Sequence, residues 1–70
     1  MNPYTLRQLW SLIEDTQTIT LLDLSDIDLV VYLLTQMENR QPLSLQEVDL
    51  VSNYIHSKIS LIRDLADVRS

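Results

Sequence analysis

Two short segments that each start a helix constrain the fold of this chain more than any other feature. They read Leu24-Ser25-Asp26-Ile27-Asp28-Leu29 and Leu43-Ser44-Leu45-Gln46-Glu47-Val48. In each, a serine is followed three residues later by an acid, and apolar residues flank the unit on both sides. This is the pattern of a capping box with a hydrophobic staple, which satisfies free N–H groups of the first helical turn. The segments predict helices beginning at Ser25 and Ser44.

The spacing of apolar residues predicts where three helices run. Asn2 and Pro3 suit a helix start, and the narrow apolar stripe after them predicts a first helix over 3–17. The second helix, over 25–38, is apolar on more than half of its circumference and is expected to be the most buried. The residues predicted at the centre of its buried face are Ile27, Val30, Val31, Leu34 and Met37, and this face is predicted to be widened on one side by Leu29 and Leu33.

The third predicted helix, over 44–65, carries two apolar stripes separated by about 115° around the helix. The first stripe consists of Val48, Val51, Ile55, Ile59, Ile62 and Ala66. The second stripe consists of Leu50, Tyr54, Leu61 and Leu65. A helix with two stripes packs against two neighbours, so the sequence predicts an all-α fold, a compact three-helix bundle. Apolar surface that the first helix does not cover is expected to seek a partner.

The remaining segments are predicted to be irregular. Residues 18–24 read as an apolar-anchored connector, because the helical stripe fails beyond Gln17 and because Thr16, Thr18, Ile19 and Thr20 form helices poorly. Asn39 suits a left-handed end of the second helix in a chain without glycine. Residues 66–70 are predicted to be a frayed tail, so the whole chain, 1–70, is a single domain.

Composition excludes several kinds of site. The chain has no cysteine, so a disulfide framework and a thiolate metal site are excluded. It also has no glycine, which the phosphate-binding loops of nucleotide enzymes and the nucleophile elbows of hydrolases require. The first residues lack the pattern of a secretory signal, and no apolar run approaches the roughly 18 residues of a membrane span. We therefore expect a cytoplasmic protein without a membrane partner.

Charge is distributed unevenly along the chain, whose net charge is −5. Arg40 is the one base between residues 14 and 49, a stretch that holds eight acids: Glu14, Asp15, Asp23, Asp26, Asp28, Glu38, Glu47 and Asp49. Nucleic acids and anionic lipids are bound by lysine and arginine, so neither is an expected partner. The acids serve either solubility or a basic partner surface.

Two groups of polar residues were weighed as chemical sites. Asp26 and Asp28 match the first ligand spacing of a calcium loop, but Val30, Val31 and Met37 occupy the positions that would have to continue it. The acids are better explained as complements of a helix dipole. A Ser–His–Asp set would come from one polar helix face, which forms neither a pocket nor an oxyanion hole; it comprises Asp49, Asn53, His56 and Ser60. We predict no catalytic residue, metal or cofactor.

Four residues are candidates for contacting a partner. Trp10 lies at the edge of the first apolar stripe, where it is either a core residue or an exposed binding aromatic. Tyr32 projects towards the polar face of the second helix, as an interface anchor or an isolated surface aromatic. Lys58, between the two stripes, lays its stem on the core or pairs across a homodimer. Arg63 is predicted to form a weak helical pair with Asp67.

Three short segments carry a resemblance to known proteins. They are residues 2–10, which read Asn-Pro-Tyr-Thr-Leu-Arg-Gln-Leu-Trp, Leu24-Ser25-Asp26, and residues 60–66, which read Ser-Leu-Ile-Arg-Asp-Leu-Ala. With these segments the chain resembles short cyanobacterial helical proteins of unknown function. The resemblance implies no activity for any residue.

The function predicted from the sequence is that of a non-enzymatic protein-interaction module, a small regulator or assembly factor. One alternative is a homodimeric structural protein in which the third helix pairs with itself through Tyr54, Leu61 and Leu65. Another is a helical domain that binds a small ligand in the bundle interior.

Overall fold

The computed structural model describes residues 1–69 and contains four helices in that range. No strand occurs within residues 1–69, so the all-α prediction is confirmed. The helix count exceeds the predicted three, because a short helix occupies most of the predicted connector 18–24. The helices are α1 (Pro3–Asp15), α2 (Thr18–Asp23), α3 (Asp26–Arg40) and α4 (Leu45–Val68).

The helix starts follow the predicted caps. At α1 the Asn2 side chain accepts a hydrogen bond from the Thr5 backbone N–H at 2.8 Å. At α4 the capping box is complete: Ser44 Oγ accepts from the Glu47 N–H at 3.1 Å, and Glu47 Oε1 accepts from the Ser44 N–H at 3.0 Å. At α3 only the first half is described, with Ser25 Oγ accepting from the next turn at 3.2 Å.

The helix ends differ from the predictions. α1 stops at Asp15 rather than residue 17, because the Thr16 backbone is extended and its hydroxyl donates to the Leu12 carbonyl at 2.8 Å. α3 continues to Arg40, so Asn39 lies inside the helix and is not a left-handed cap. α4 continues through the predicted frayed tail to Val68, because Ala66 is buried in the core. The last residue of that predicted tail lies outside the described residues.

One hydrophobic core is shared by all four helices. α3 packs on α4, α2 packs on α4, and α1 packs on α3. The buried apolar residues are Leu9, Leu12, Ile13, Leu21, Leu29, Val30, Leu33, Met37, Val51, Ile55, Ile59, Ile62 and Ala66.

The buried face of α3 is rotated relative to its prediction. Leu29 and Leu33 are fully buried, whereas Ile27 is 72% exposed and Val31 is 56% exposed. The prediction that Ile27 and Val31 lie at the centre of the buried face is therefore wrong. The reason is that α3 contacts α1 and α4 and its apolar residues cover most of the helix, so the positions of those neighbours select the buried face.

Arginine side chains close three connections between helices. Arg63 of α4 donates to the carbonyls of Leu21 and Leu24 at 2.8 Å each and to that of Leu22 at 3.2 Å. Arg63 also pairs with the Asp26 carboxylate at 2.9 Å.

The other two arginines act at the end of α1. Arg69 donates to the carbonyls of Glu14 and Thr16 at 2.9 and 2.6 Å and to the Thr18 hydroxyl at 3.1 Å. Arg40, the last residue of α3, pairs with Asp15 at 3.0 Å. Helix ends leave backbone carbonyls without intrahelical partners, and the arginines supply donors for several of them.

The corners of the backbone are built from extended residues. No residue within 1–69 has a positive φ angle, in a sequence that contains no glycine. Among these corners, Thr16, Gln17, Leu24 and Gln41 flank the helices in the β region.

Candidate interaction groove

A groove runs between α1 and α4, and we call it the α1–α4 groove. It exists because α1 packs mainly on α3 and is much shorter than α4. The 24 residues of α4 make a helix about 36 Å long, whereas the 13 residues of α1 make one about 20 Å long.

The second apolar stripe of α4 follows this side of the molecule. The leucines of this stripe are about half exposed: Leu50 is 47% exposed, Leu61 44% and Leu65 49%. α1 therefore leaves about half of this apolar stripe uncovered.

An aromatic pair bridges the groove near its middle. The Trp10 indole N–H donates to the Tyr54 hydroxyl at 3.0 Å, and the two rings meet edge to face with centroids 6.4 Å apart. Both residues are half-buried and pack against the core. Trp10 is thus a bridge between α1 and α4 rather than a fully buried core residue, and its N–H has the partner that a half-buried indole needs.

The aromatic pair separates two hollows. The first, of about 200 Å³, is lined by Met1, Asn2, Thr5, Glu47, Leu50 and Val51. The second, of about 220 Å³, is lined mainly by Trp10, Ile13, Leu21, Leu65, Glu14 and Arg69. An apolar cavity of about 150 Å³ accepts a benzene-sized group, so each hollow has room for an apolar side chain.

The charged groups of the groove nearly balance. Glu47 lines the first hollow, and Glu14 and Arg69 line the second. Lys58 is half-buried with its ammonium 5.8 Å from the centroid of the Tyr54 ring, within the range of a cation–π contact. The groove is therefore apolar in its walls and mixed in charge at its ends.

The other two predicted contact residues lie elsewhere. Tyr32 does not project away from the core, since it is half-buried and packs against it. Arg63 is engaged with the end of α2 and with Asp26, partners far along the chain, whereas the sequence suggested only Asp67. Of the four candidates, the groove brings together Trp10 and Lys58, both through Tyr54.

Other kinds of site find no counterpart among residues 1–69. No cluster of three or more histidine or acidic side chains there is arranged to hold a metal ion. No helix in the same range has both the length and the apolar character to cross a membrane. The polar face that was weighed as a triad lies exposed on α4 and comprises Asp49, Asn53, His56 and Ser60.

Sequence reasoning missed the contributions of Glu14 and Arg69. The sequence predicts a frayed tail at Arg69, whereas in the structure its guanidinium donates to the backbone carbonyl of Glu14, 55 residues earlier in the chain. No local pattern marks such a contact, because it depends on where α1 ends relative to α4. A continuation of the α4 stripe to Ala66 was the one signal that the helix extends this far.

Comparison with known proteins gives no relative. No family model, no curated protein and no solved structure matches the chain. The resemblance to short cyanobacterial helical proteins stays a prediction.

Proposed function

We propose that this chain is a non-enzymatic protein-interaction module, a small regulator or assembly factor, that receives another polypeptide in the α1–α4 groove. The half-exposed stripe of α4 carries the proposal. Exposed apolar residues also occur elsewhere on the molecule, but the half-exposed leucines of α4 lie in one row, and Leu50 and Leu65 also line the two hollows, so together they form apolar surface that a partner can bury.

The shape of the groove suits a helical segment. It lies between two helices, and two hollows on either side of the aromatic pair offer separate sites for apolar side chains. A helix bound in such a groove places anchors at intervals of three or four residues. The stretch from Leu50 to Leu65 spans about 22 Å, enough for about four turns of a bound helix.

The use of cations inside the molecule favours a protein partner over nucleic acid or lipid. Arg40, Arg63 and Arg69 bind other parts of the chain, and Lys58 lies on Tyr54. Arg7 is the remaining cation in a chain with ten acids. Phosphate backbones and anionic membranes require exposed positive charge, so we propose a protein partner. We also propose a cytoplasmic location, with which a chain without cysteine is compatible.

The test compares three forms of the protein immobilised in native extract. The groove variant carries Leu61→Lys and Leu65→Lys; the matched control carries Ile27→Lys and Val31→Lys, which are at least as exposed but lie on α3. We expect an identifiable polypeptide to be retained by the wild type and the control and lost from the groove variant. When the retained polypeptide is purified and added to the wild-type protein, it should shift the NMR signal of the Trp10 indole N–H. Equal retention by all three forms would contradict the proposal.

A small apolar ligand is the second candidate, favoured by the volumes of the two hollows, about 200 and 220 Å³. Titration with a library of apolar metabolites, followed by NMR chemical shifts, distinguishes ligand binding from polypeptide binding. Ligand binding predicts saturable shifts confined to residues that line one hollow, whereas polypeptide binding predicts shifts along both hollows and the α4 stripe between them.

A further inference from the structure

We infer that the polypeptide received by the α1–α4 groove is a second copy of this chain, bound antiparallel along α4 about a twofold axis. The inference rests on the proposed function and names the occupant of the same groove. It is carried by the spacing of the second stripe, by the charges at the two ends of the groove and by the area available.

The second stripe has the same spacing when read in either direction. Leu50 and Tyr54 are four residues apart, Tyr54 and Leu61 seven, and Leu61 and Leu65 four. A twofold pair requires that residue i of one copy meets residue j of the other while j meets i. With the axis midway between residues 57 and 58, Leu50 opposes Leu65 of the second copy, and Tyr54 opposes Leu61 of the second copy.

The same axis brings opposite charges together at both ends. Glu47 then lies beside Arg69 of the second copy, and the reciprocal contact forms at the other end. An arginine side chain has five N–H donors, and Arg69 uses three of them in its described bonds. The first hollow of each copy, which holds Glu47, faces the second hollow of the other, which holds Arg69 together with Glu14. The attraction of Glu47 to Arg69 is therefore partly offset by Glu14.

The available area sets the strength of the pair. A surface about 22 Å long and two helices wide buries about 450 Å² on each copy. The total of about 900 Å² falls below the roughly 1,200 Å² of standard stable interfaces, which is the range of weak, concentration-dependent association. Two features weaken it further: the net charge of −5 on each copy and the proximity of the two Lys58 side chains to the axis.

The first measurement is sedimentation equilibrium of the full chain from about 10 µM to about 1 mM, the range in which weak dimers form. We expect the average mass to rise from that of one copy towards that of two. The double variant Leu61→Lys with Leu65→Lys should weaken dimerisation by about 100-fold, because two apolar contacts are lost on each copy. The control with Ile27→Lys and Val31→Lys should dimerise like the wild type.

The second measurement locates the axis by disulfide formation, which is clean because the natural sequence contains no cysteine. Ser57→Cys places a thiol next to the axis, so a disulfide-linked dimer should form under mild oxidation. Ser60→Cys is the matched control, an exposed serine less than one turn away on the polar face of α4, and it should remain monomeric.

Each outcome decides the inference. A rising mass with cross-linking through residue 57 alone supports it. A single-copy mass at every concentration overturns it, as does a dimer that survives the two leucine changes or cross-links through residue 60. If the chain is monomeric but retains a different polypeptide through the groove, the inference fails and the proposed function stands. If neither occurs, both fail.

Discussion

Arg63 holds the connection between α2 and α3 through more hydrogen bonds than any other side chain described in residues 1–69. The Arg63 side chain is 23% exposed, and its guanidinium reaches three backbone carbonyls and the carboxylate of Asp26. The planar guanidinium presents five N–H donors in a fixed fork, whereas a lysine ammonium has three, so arginine can serve more acceptors at once. Backbone carbonyls at the end of α2 therefore depend on a residue about 40 positions later in the chain.

We predict that Arg63→Met lowers the free energy of unfolding by about 1.5–3 kcal/mol, because partly buried carbonyls lose a charged donor. Arg63→Lys should recover only part of this loss, since lysine contacts fewer acceptors. Urea denaturation followed by circular dichroism measures both changes. The control is Arg7→Met, an exposed arginine with no described contact, which should change stability by less than about 0.5 kcal/mol. Equal effects at both positions would contradict the structural role of Arg63.

A second residue-scale prediction concerns Gln41, whose Oε1 atom is buried without a hydrogen-bond partner in the described part of the chain. Its Nε2 donates to the buried Thr5 hydroxyl across a long 3.3 Å. Replacing both partners by apolar groups of similar shape removes the unmatched polar atoms, which is nearly neutral or stabilising. The double variant Thr5→Val with Gln41→Met should therefore be at least as stable as the wild type in thermal unfolding.

The single variant supplies the contrast. Thr5→Val alone leaves the whole Gln41 amide without its protein partner and should cost about 1 kcal/mol. A double variant less stable than the wild type would contradict the prediction, and one less stable than the single variant would further indicate that water satisfies the Gln41 amide.

At the scale of elements, α2 is the helix whose existence depends most on its neighbours. Its six residues are too few for stability in isolation, and its N-cap, Gln17, makes no side-chain capping bond. Leu21, which is 1% exposed, fixes α2 in the core, while the adjacent Leu22 is 36% exposed.

We predict that Leu21→Ala lowers the free energy of unfolding by about 2–5 kcal/mol, because it opens a cavity beneath α2. Leu22→Ala is the matched control in the same helix and should cost clearly less than Leu21→Ala, since Leu22 is already 36% exposed whereas Leu21 is 1% exposed. Denaturation curves measure both variants. Equal effects would contradict the burial of Leu21 as the anchor of α2.

The sequence predicts those elements whose signals are local. Ser44 and Glu47 together form the capping box of α4, so the sequence alone predicts Ser44 as the N-cap of this helix. α2 has no such signal, because Leu21 alone faces inward and one buried residue defines no periodicity. The rotation of the buried face of α3 was not predicted either. Ile27 and Leu29 are both strongly apolar, and only the positions of the neighbouring helices determine which of the two is buried.

The groove shows the same division. Tyr54 and Leu65 were assigned to a second stripe by spacing, and an uncovered apolar surface on the long helix was anticipated. The hydrogen bond from Trp10 to Tyr54 was not predicted, because it joins residues 44 positions apart in the chain and depends on the path of α1. Hollows and end charges arise from packing, which no single helix encodes.

At the scale of the whole molecule, the shared core predicts one cooperative unfolding transition. All four helices contribute buried side chains to the same cluster, and long arginine contacts tie the ends of α1, α2 and α3 to their neighbours. Circular dichroism reports all helices, whereas Trp10 fluorescence reports the α1–α4 groove. We predict that their urea transitions coincide. A fluorescence change at lower urea would show that α1 separates first.

The corners of this backbone have a consequence for how the chain tolerates variation. No described corner has a positive φ angle, so the backbone of these bends does not require glycine, and only corner side chains with contacts of their own, such as Thr16 and Gln41, constrain the residue type. Evolutionary drift can then proceed at the bends while the interior remains under selection. Homologues separated by long divergence would keep recognisable leucines and isoleucines between connecting residues that have little in common.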